Sequence, residues 1–166
     1  MGLDELLDVV DVHDQVIGQQ PRSEVYRRGL LCRVVNMFLE NTQGQLWIPR
    51  WTAHKRPFSL CLDMSMGGHV ETGESYEAVL KRELIEELRL EVEKTNCELL
   101  GYLTPHETGV SASMKVYRIR TDEAPPYNKD DFLEAQWLLP GELLRKLHNG
   151  EPAKRDLVIL IQQFYA

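Results

Sequence analysis

Positive charge is in short supply: 19 lysines and arginines stand against 26 aspartates and glutamates, giving a net charge of -7 over 166 residues. That balance argues against an extended basic groove for nucleic acid. It leaves room for a small phosphorylated ligand, which needs only a few local cations. Cysteine is equally scarce. Cys32, Cys61 and Cys97 are odd in number and widely spaced, with no Cys-x-x-Cys; a disulfide scaffold and a cysteine-rich zinc site are both excluded, and a reducing cytosol fits. As small buried hydrophobes they need no further role. No apolar run approaches the roughly 18–20 residues that span a bilayer, and the start Met1-Gly2-Leu3-Asp4-Glu5 lacks the basic character of a signal peptide. The expectation is a cytoplasmic protein with no membrane partner. Repeats, low-complexity tracts and long linkers are missing as well, so residues 1–166 read as one domain, whose 43% hydrophobic residues suffice for a core.

Residues 7–12 and 16–18 read as short strands around the polar turn His13-Asp14-Gln15, an N-terminal β-hairpin. Residues 30–39 are rich in Leu, Val and Phe, and Asn41-Thr42-Gln43-Gly44 breaks them before the strand at 45–49, a second hairpin. Over 75–89 the period changes: Ala78, Leu84, Ile85 and Leu88 share one arc, Ser75 can cap the first turn and Glu77 suits the positive end of the dipole. Strands at 98–103, 113–120 and 132–138 follow, then helices at 141–148 and 154–164. Strands and helices interleave without a regular βαβ alternation. The predicted class is α/β in the α+β sense, a mixed β-sheet sandwiched between α-helices.

The helix at 75–89 carries the chemistry. Glu83, Glu86 and Glu87 occupy an arc of about 100°, because residues three and four apart share a face. Like charges so placed repel by a few tenths of a kcal/mol per pair, roughly, and call for a counter-charge. Hard divalent cations such as Mg²⁺ or Mn²⁺ take oxygen ligands and are completed by substrate phosphates, so a carboxylate cluster suits them. Arg82 can pair with Glu83 or reach a phosphate, and Gly67-Gly68 lets backbone come close to a metal or ligand.

These residues resemble the Nudix box, G-x5-E-x7-R-E-U-x-E-E-x-G-U with U apolar, matched over 68–90 by Gly68, Glu74, Arg82, Glu83, Leu84, Glu86, Glu87 and Leu90. Arg89 stands where the family has glycine. A left-handed cap there costs a side-chain-bearing residue about 1–2 kcal/mol unless the helix ends differently. The resemblance implies the Nudix fold and metal-assisted attack of water on a diphosphate, with Mg²⁺ or Mn²⁺ as cofactor. It implies that Glu83, Glu86 and Glu87 hold metal with the Gly67 carbonyl as a further ligand. Glu83 would also serve as general base, oriented by Arg82, and Glu74 and His69 would support this set from behind. A base outside the box is common in the family, and Glu107, Asp130, Asp131 and Glu134 are candidates.

A second resemblance is to the isopentenyl-diphosphate isomerase branch, carried by residues 8–18, 46–58 and 67–75. In those isomerases an arginine and a lysine hold diphosphate, which maps onto Arg50 and Lys55, and His69 matches a metal ligand. Their proton relay, however, needs a cysteine where Gly67 stands, and an opposing carboxylate. Cys61 is six residues upstream, which in a strand is about 20 Å, and 110–114, read as the opposing strand, has no acid. The chain therefore reads as a pyrophosphohydrolase on an isomerase-like frame, acting as monomer or homodimer on a small-molecule diphosphate. A nucleoside di- or triphosphate is the default, its base stacking on some of Trp47, Trp51, Phe58, Tyr117 and Trp137. An isomerase-like enzyme and a catalytically idle nucleotide-binding module are the alternatives.

Overall fold

Glu40 and Leu46 are where β3 (Arg33–Glu40) and β4 (Leu46–Trp51) pair, and beyond that register the two strands part company. In a computed structural model that describes residues 4–166, β5 (Met66–His69) takes β4's place alongside β3, antiparallel, from Val34 to Met37. The remaining strands are β6 (Cys97–Leu103), β7 (Ser113–Arg120) and β8 (Phe132–Leu138). They complete a sheet of order β6-β7-β3-β4-β8 in which only β3 and β7 run parallel. The sheet is mixed, as expected.

The fork between β3 and β4 would strand backbone polar groups inside the protein. Ser65, completely buried, plugs it: Leu39 N–H donates to Ser65 Oγ (2.8 Å), which donates in turn to the Trp47 carbonyl (2.6 Å). Buried backbone groups without partners are rare because each one costs free energy, so the serine is a condition of the fork.

Helices cover both faces. α2 (Tyr76–Leu88) lays Val79, Leu80, Leu84 and Leu88 on Val35, Met37 and Leu39, each side chain contributing about 1.5–3 kcal/mol through burial. On the opposite face α4 (Pro140–His148) and α5 (Arg155–Tyr165) pack Leu143, Leu157, Leu160 and Ile161 on Phe38, Ile48 and Val116. The N-terminal hairpin, β1 (Leu6–Val10) and β2 (Val16–Pro21), forms its own two-stranded sheet, and α1 (Arg22–Arg28) follows it. Its turn is fastened by Asp14, whose carboxylate accepts from Arg33 Nε (2.6 Å), Tyr76 Oη (2.9 Å) and Tyr102 Oη (2.7 Å). Since Tyr76 opens α2, the hairpin and the carboxylate helix are positioned together.

Several boundaries and elements depart from the sequence reading. β1 stops at Val10 and β2 continues to Pro21. α1 and the single turn α3 (Pro105–Thr108) are too short to show an apolar period, and β5 is half glycine, which carries little strand propensity. Residues 110–112 precede β7, so the stretch read as one strand from 110 to 114 is strand only from Ser113. Among the described residues no helix is long and apolar enough to cross a membrane.

α2 ends at Arg89 in the left-handed region (φ 56°, ψ 35°), its N–H bonded to the Ile85 carbonyl (3.1 Å) while Leu90 N–H reaches Leu84 (3.0 Å). The cap that the family builds with glycine is here built with a strained arginine. Arg89→Gly should therefore stabilise the protein by about 1 kcal/mol, seen as a higher midpoint in urea; a lower midpoint would show the strain to be absent. Ser65→Ala should cost about 1–3 kcal/mol by orphaning Leu39 N–H and Trp47 C=O, and an unchanged midpoint would contradict its role at the fork.

Candidate active site

The site is built where α2 crosses the free edge of β5. Ser75 starts the helix, its Oγ accepting from Ala78 N–H at 3.0 Å. Four residues apart on the inward side, Glu83 and Glu87 are both buried, at 8% and 7% exposure. They fit because β5 is nearly bare: a Cβ on Gly68 would lie 2.5 Å from Glu83 Cγ, and one on Gly67 would lie 2.8 Å from Asn36 Oδ1. Gly67 N–H donates to Glu87 Oε1 at 3.3 Å and so points away from β3. In an antiparallel ladder a residue's N–H and C=O share an edge, so the Gly67 carbonyl opens on the side of Glu87.

Burial dominates the electrostatics. Desolvation pushes the Glu83 carboxyl up to about 7, with Arg82 working against the rise and Glu86 adding to it. Glu87 is pushed well above the carboxylate range by desolvation first, then by the charges of Glu83 and Asp63. Arg82 is the hub of the counter-charge. It is bidentate to Glu74 (Nε to Oε2 and Nη2 to Oε1, both 2.9 Å), reaches Glu83 Oε1 at 2.7 Å, and lies 3.2 Å from Glu71 and 3.7 Å from Glu86. Two of the three predicted carboxylates are thus brought together. The third is not: Glu86 is 56% exposed and turned to solvent, because the inward arc of α2 is narrower than the three residues need.

Among the described residues no group of three His, Cys, Asp or Glu side chains converges as a ready metal cage. The donor set nonetheless fits a hard cation: two carboxylates one turn apart, both raised chiefly by desolvation, beside a free-edge carbonyl. His69 is differently employed. Its Nε2 shares a hydrogen bond with the Tyr26 hydroxyl, its Nδ1 lies 4.0 Å from Glu5 Oε2, and desolvation, then Arg22 and Lys154, holds its ring down to about 3. It is a neutral ring behind β5, linking it to α1.

The two expected diphosphate cations are both taken up by carboxylates. Arg50 bonds Glu134 (2.9 Å), Glu151 and the Leu60 carbonyl (2.9 Å), and Lys55 lies 2.7 Å from Asp131. Of the candidate bases outside the box, Glu134 and Asp131 are those same partners, Glu107 accepts from Thr104 Oγ1 (2.7 Å), and Asp130 is exposed. Trp47 is core, stacked near Tyr127 and Phe132; Tyr117 bonds Glu77; and Trp137 packs against the α2-side core. Trp51 and Phe58 instead flank the ammonium of Lys154. Cys61 lies in the loop after β4, not in a strand leading to β5, so the distance estimated along an extended strand does not apply. Its thiol is raised by desolvation and by Asp63, which keeps it protonated. Glu71, Asp63 and Lys154 were not anticipated. Glu71 sits in an unspecified box position, and the other two meet only through the fold.

Three comparisons with known proteins agree with this geometry. The NUDIX domain profile matches residues 30–160. A Nudix hydrolase of a Nostoc species is 60% identical over 98% of this chain and 96% of its own, and one of Deinococcus radiodurans is 43% identical over 98% and 95%. A crystal structure of a Deinococcus radiodurans protein superposes with a TM-score of 0.93 at 42% identity, covering 98% of this chain and all of the other. More distantly, an isopentenyl-diphosphate Δ-isomerase of Photorhabdus laumondii is 28% identical over 90% of this chain and 85% of its own. With the profile spanning most of the chain and two relatives matched over nearly all of it, the chain belongs to the Nudix hydrolases, enzymes of phosphoric anhydrides that generally depend on a divalent cation.

Proposed function

We propose that this chain is a Mg²⁺- or Mn²⁺-dependent pyrophosphohydrolase that cleaves the diphosphate linkage of a nucleoside di- or triphosphate or a related nucleotide. The observation that carries the reading is the burial of Glu83 and Glu87 together, with their carboxyl groups raised and no full counter-charge. Nothing in a purely structural helix face calls for that arrangement, since two buried carboxylates without a cation oppose folding.

Glu83, Glu87 and the Gly67 carbonyl would hold the cation, with Glu86 turning in from solvent to complete the set. When bound, the cation lowers the pKa of water and neutralises charge developing on the phosphates. Glu83 would accept the proton of the attacking water. Arg82 fixes Glu83's rotamer, and Glu74, bidentate on Arg82, keeps the guanidinium from swinging into the cation's place.

The isomerase-like alternative draws on the Photorhabdus relative. It lacks support in the site: Gly67 offers no acid or base, and the Cys61 thiol is raised instead of activated. Incubation with isopentenyl diphosphate in deuterated water should leave its carbon skeleton unlabelled, and deuterium entering at a catalytic rate would favour the isomerase.

A screen of nucleotides and other diphosphates with Mg²⁺ or Mn²⁺, reading released phosphate or pyrophosphate, should find a substrate whose turnover vanishes in EDTA and returns with the metal. Undiminished turnover in EDTA would contradict the reading. Nucleotide binding without product under either metal would instead identify an idle module. Glu83→Gln should lower kcat by about 10²–10⁴-fold. Its melting temperature in EDTA should not fall below the parent's at pH 8, since the ionised carboxylate it replaces is already disfavoured by burial. Full activity in the folded variant would reject the assignment.

A further inference from the structure

With Arg50 and Lys55 both bound to carboxylates, a second positive charge acting on the buried pair, besides Arg82, comes from a residue outside the box. Lys154 immediately precedes α5. Its backbone N–H donates to the Leu62 carbonyl (2.9 Å), and Leu62 bridges Ala153, which ties it to the segment running through Asp63 and Ser65 into β5. The ammonium is 3.0 Å from Asp63 Oδ2 and sits over two rings, 5.2 Å from the Trp51 centroid and 4.7 Å from that of Phe58. Asp63 is itself fixed, accepting the Met64 N–H (2.7 Å) and Trp51 Nε1 (2.8 Å). An ammonium has three N–H bonds, and Asp63 is its one recorded acceptor among the described residues. The two aromatic faces attract the charge but accept no such bond in the ordinary sense.

The side chain as a whole is 23% exposed, so the residue is neither free in solvent nor sealed in the core. Desolvation works against its charge, yet Asp63, and then Glu87, keep it protonated. Asp63, its partner, lies in the segment that runs directly into β5, and the charge of Lys154 lowers the Glu87 carboxyl. A lysine recruited solely to neutralise Asp63 could do so from the surface; this one is held between two rings and a fixed carboxylate, beside the segment that leads into β5.

Resting on the pyrophosphohydrolase reading, we propose that Lys154 contacts the substrate: held by Asp63, Trp51 and Phe58, its ammonium receives phosphate oxygens of the diphosphate opposite the carboxylates of α2. Diphosphate oxygens supply the acceptors that the protein does not, and the lysine supplies a counter-charge that Arg50 and Lys55 have given to carboxylates.

The test uses methylenediphosphonate, whose P–C–P bridge is not hydrolysed, titrated calorimetrically into the Mn²⁺-loaded protein. Lys154→Gln should weaken its binding about ten- to a hundredfold, the range of a charge-assisted contact, and Lys154→Arg should recover most of the loss. A merely structural ion pair would lower the melting temperature and leave the affinity of the folded variant alone. Lys154→Met, whose unbranched stem fits between the same rings, serves if the glutamine variant does not fold. Parent-like affinity in either folded variant overturns the proposal. Binding needs no turnover: loss of methylenediphosphonate affinity in a protein that hydrolyses no anhydride would sink the hydrolase reading alone, while hydrolysis with undiminished affinity in Lys154→Gln would sink the lysine's role alone.

Discussion

Two carboxylates share a turn of helix and face a strand edge in which glycines replace side chains; much of the molecule follows from accommodating them. Glu83 needs Gly68 to be bare, since the Cβ of any other residue would overlap its side chain. Glu87 needs the Gly67 N–H to point outward, which requires β5 to pair on one side only. One-sided pairing in turn requires β4 to leave β3, and the fork this makes is closed by a buried serine.

The charges around this pair are arranged in two poles. On one side Arg82 collects Glu74, Glu83, Glu71 and Glu86 into a network anchored in the loop before α2 and in the helix itself. Opposite, Lys154 is held by Asp63 and by two aromatic rings. Neither cation cancels the carboxylates, as the raised Glu83 and Glu87 record. A divalent ion held there would remove that imbalance and bring its own demand for oxygen ligands, which phosphates meet. Stability forgone by burying the pair would then become affinity for the ion, a trade common at functional sites.

The sequence carried the chemistry-bearing segment well because its information is local. Ser75, Arg82, Glu83 and Glu87 lie on one helix at spacings that helical geometry converts directly into a face, and strands such as Ser113–Arg120 and Phe132–Leu138 appear where their apolar residues cluster. What escaped notice was non-local or too short for periodicity to show. β5 is half glycine and so lacks a strand signature; α1 spans two turns of mostly charged residues; Glu86 was grouped with its neighbours although the wheel alone cannot say which side of the arc is covered. Arg50 and Lys55 looked available because Glu134, Glu151 and Asp131 are far along the chain and only the sheet and the loops beside it bring them close. Lys154 had no motif at all. Its position is set by the Leu62–Ala153 bridge and by Asp63, contacts that exist only in the folded protein.

The account stands on the claim that Glu83 and Glu87 form a cation site, and Mn²⁺ binding followed by electron paramagnetic resonance tests it without reference to any substrate. The parent protein should deplete the free Mn²⁺ signal saturably at stoichiometric amounts, and Glu87→Gln, folded by circular dichroism, should leave that signal at its protein-free intensity. Equal depletion by the two proteins would contradict the account.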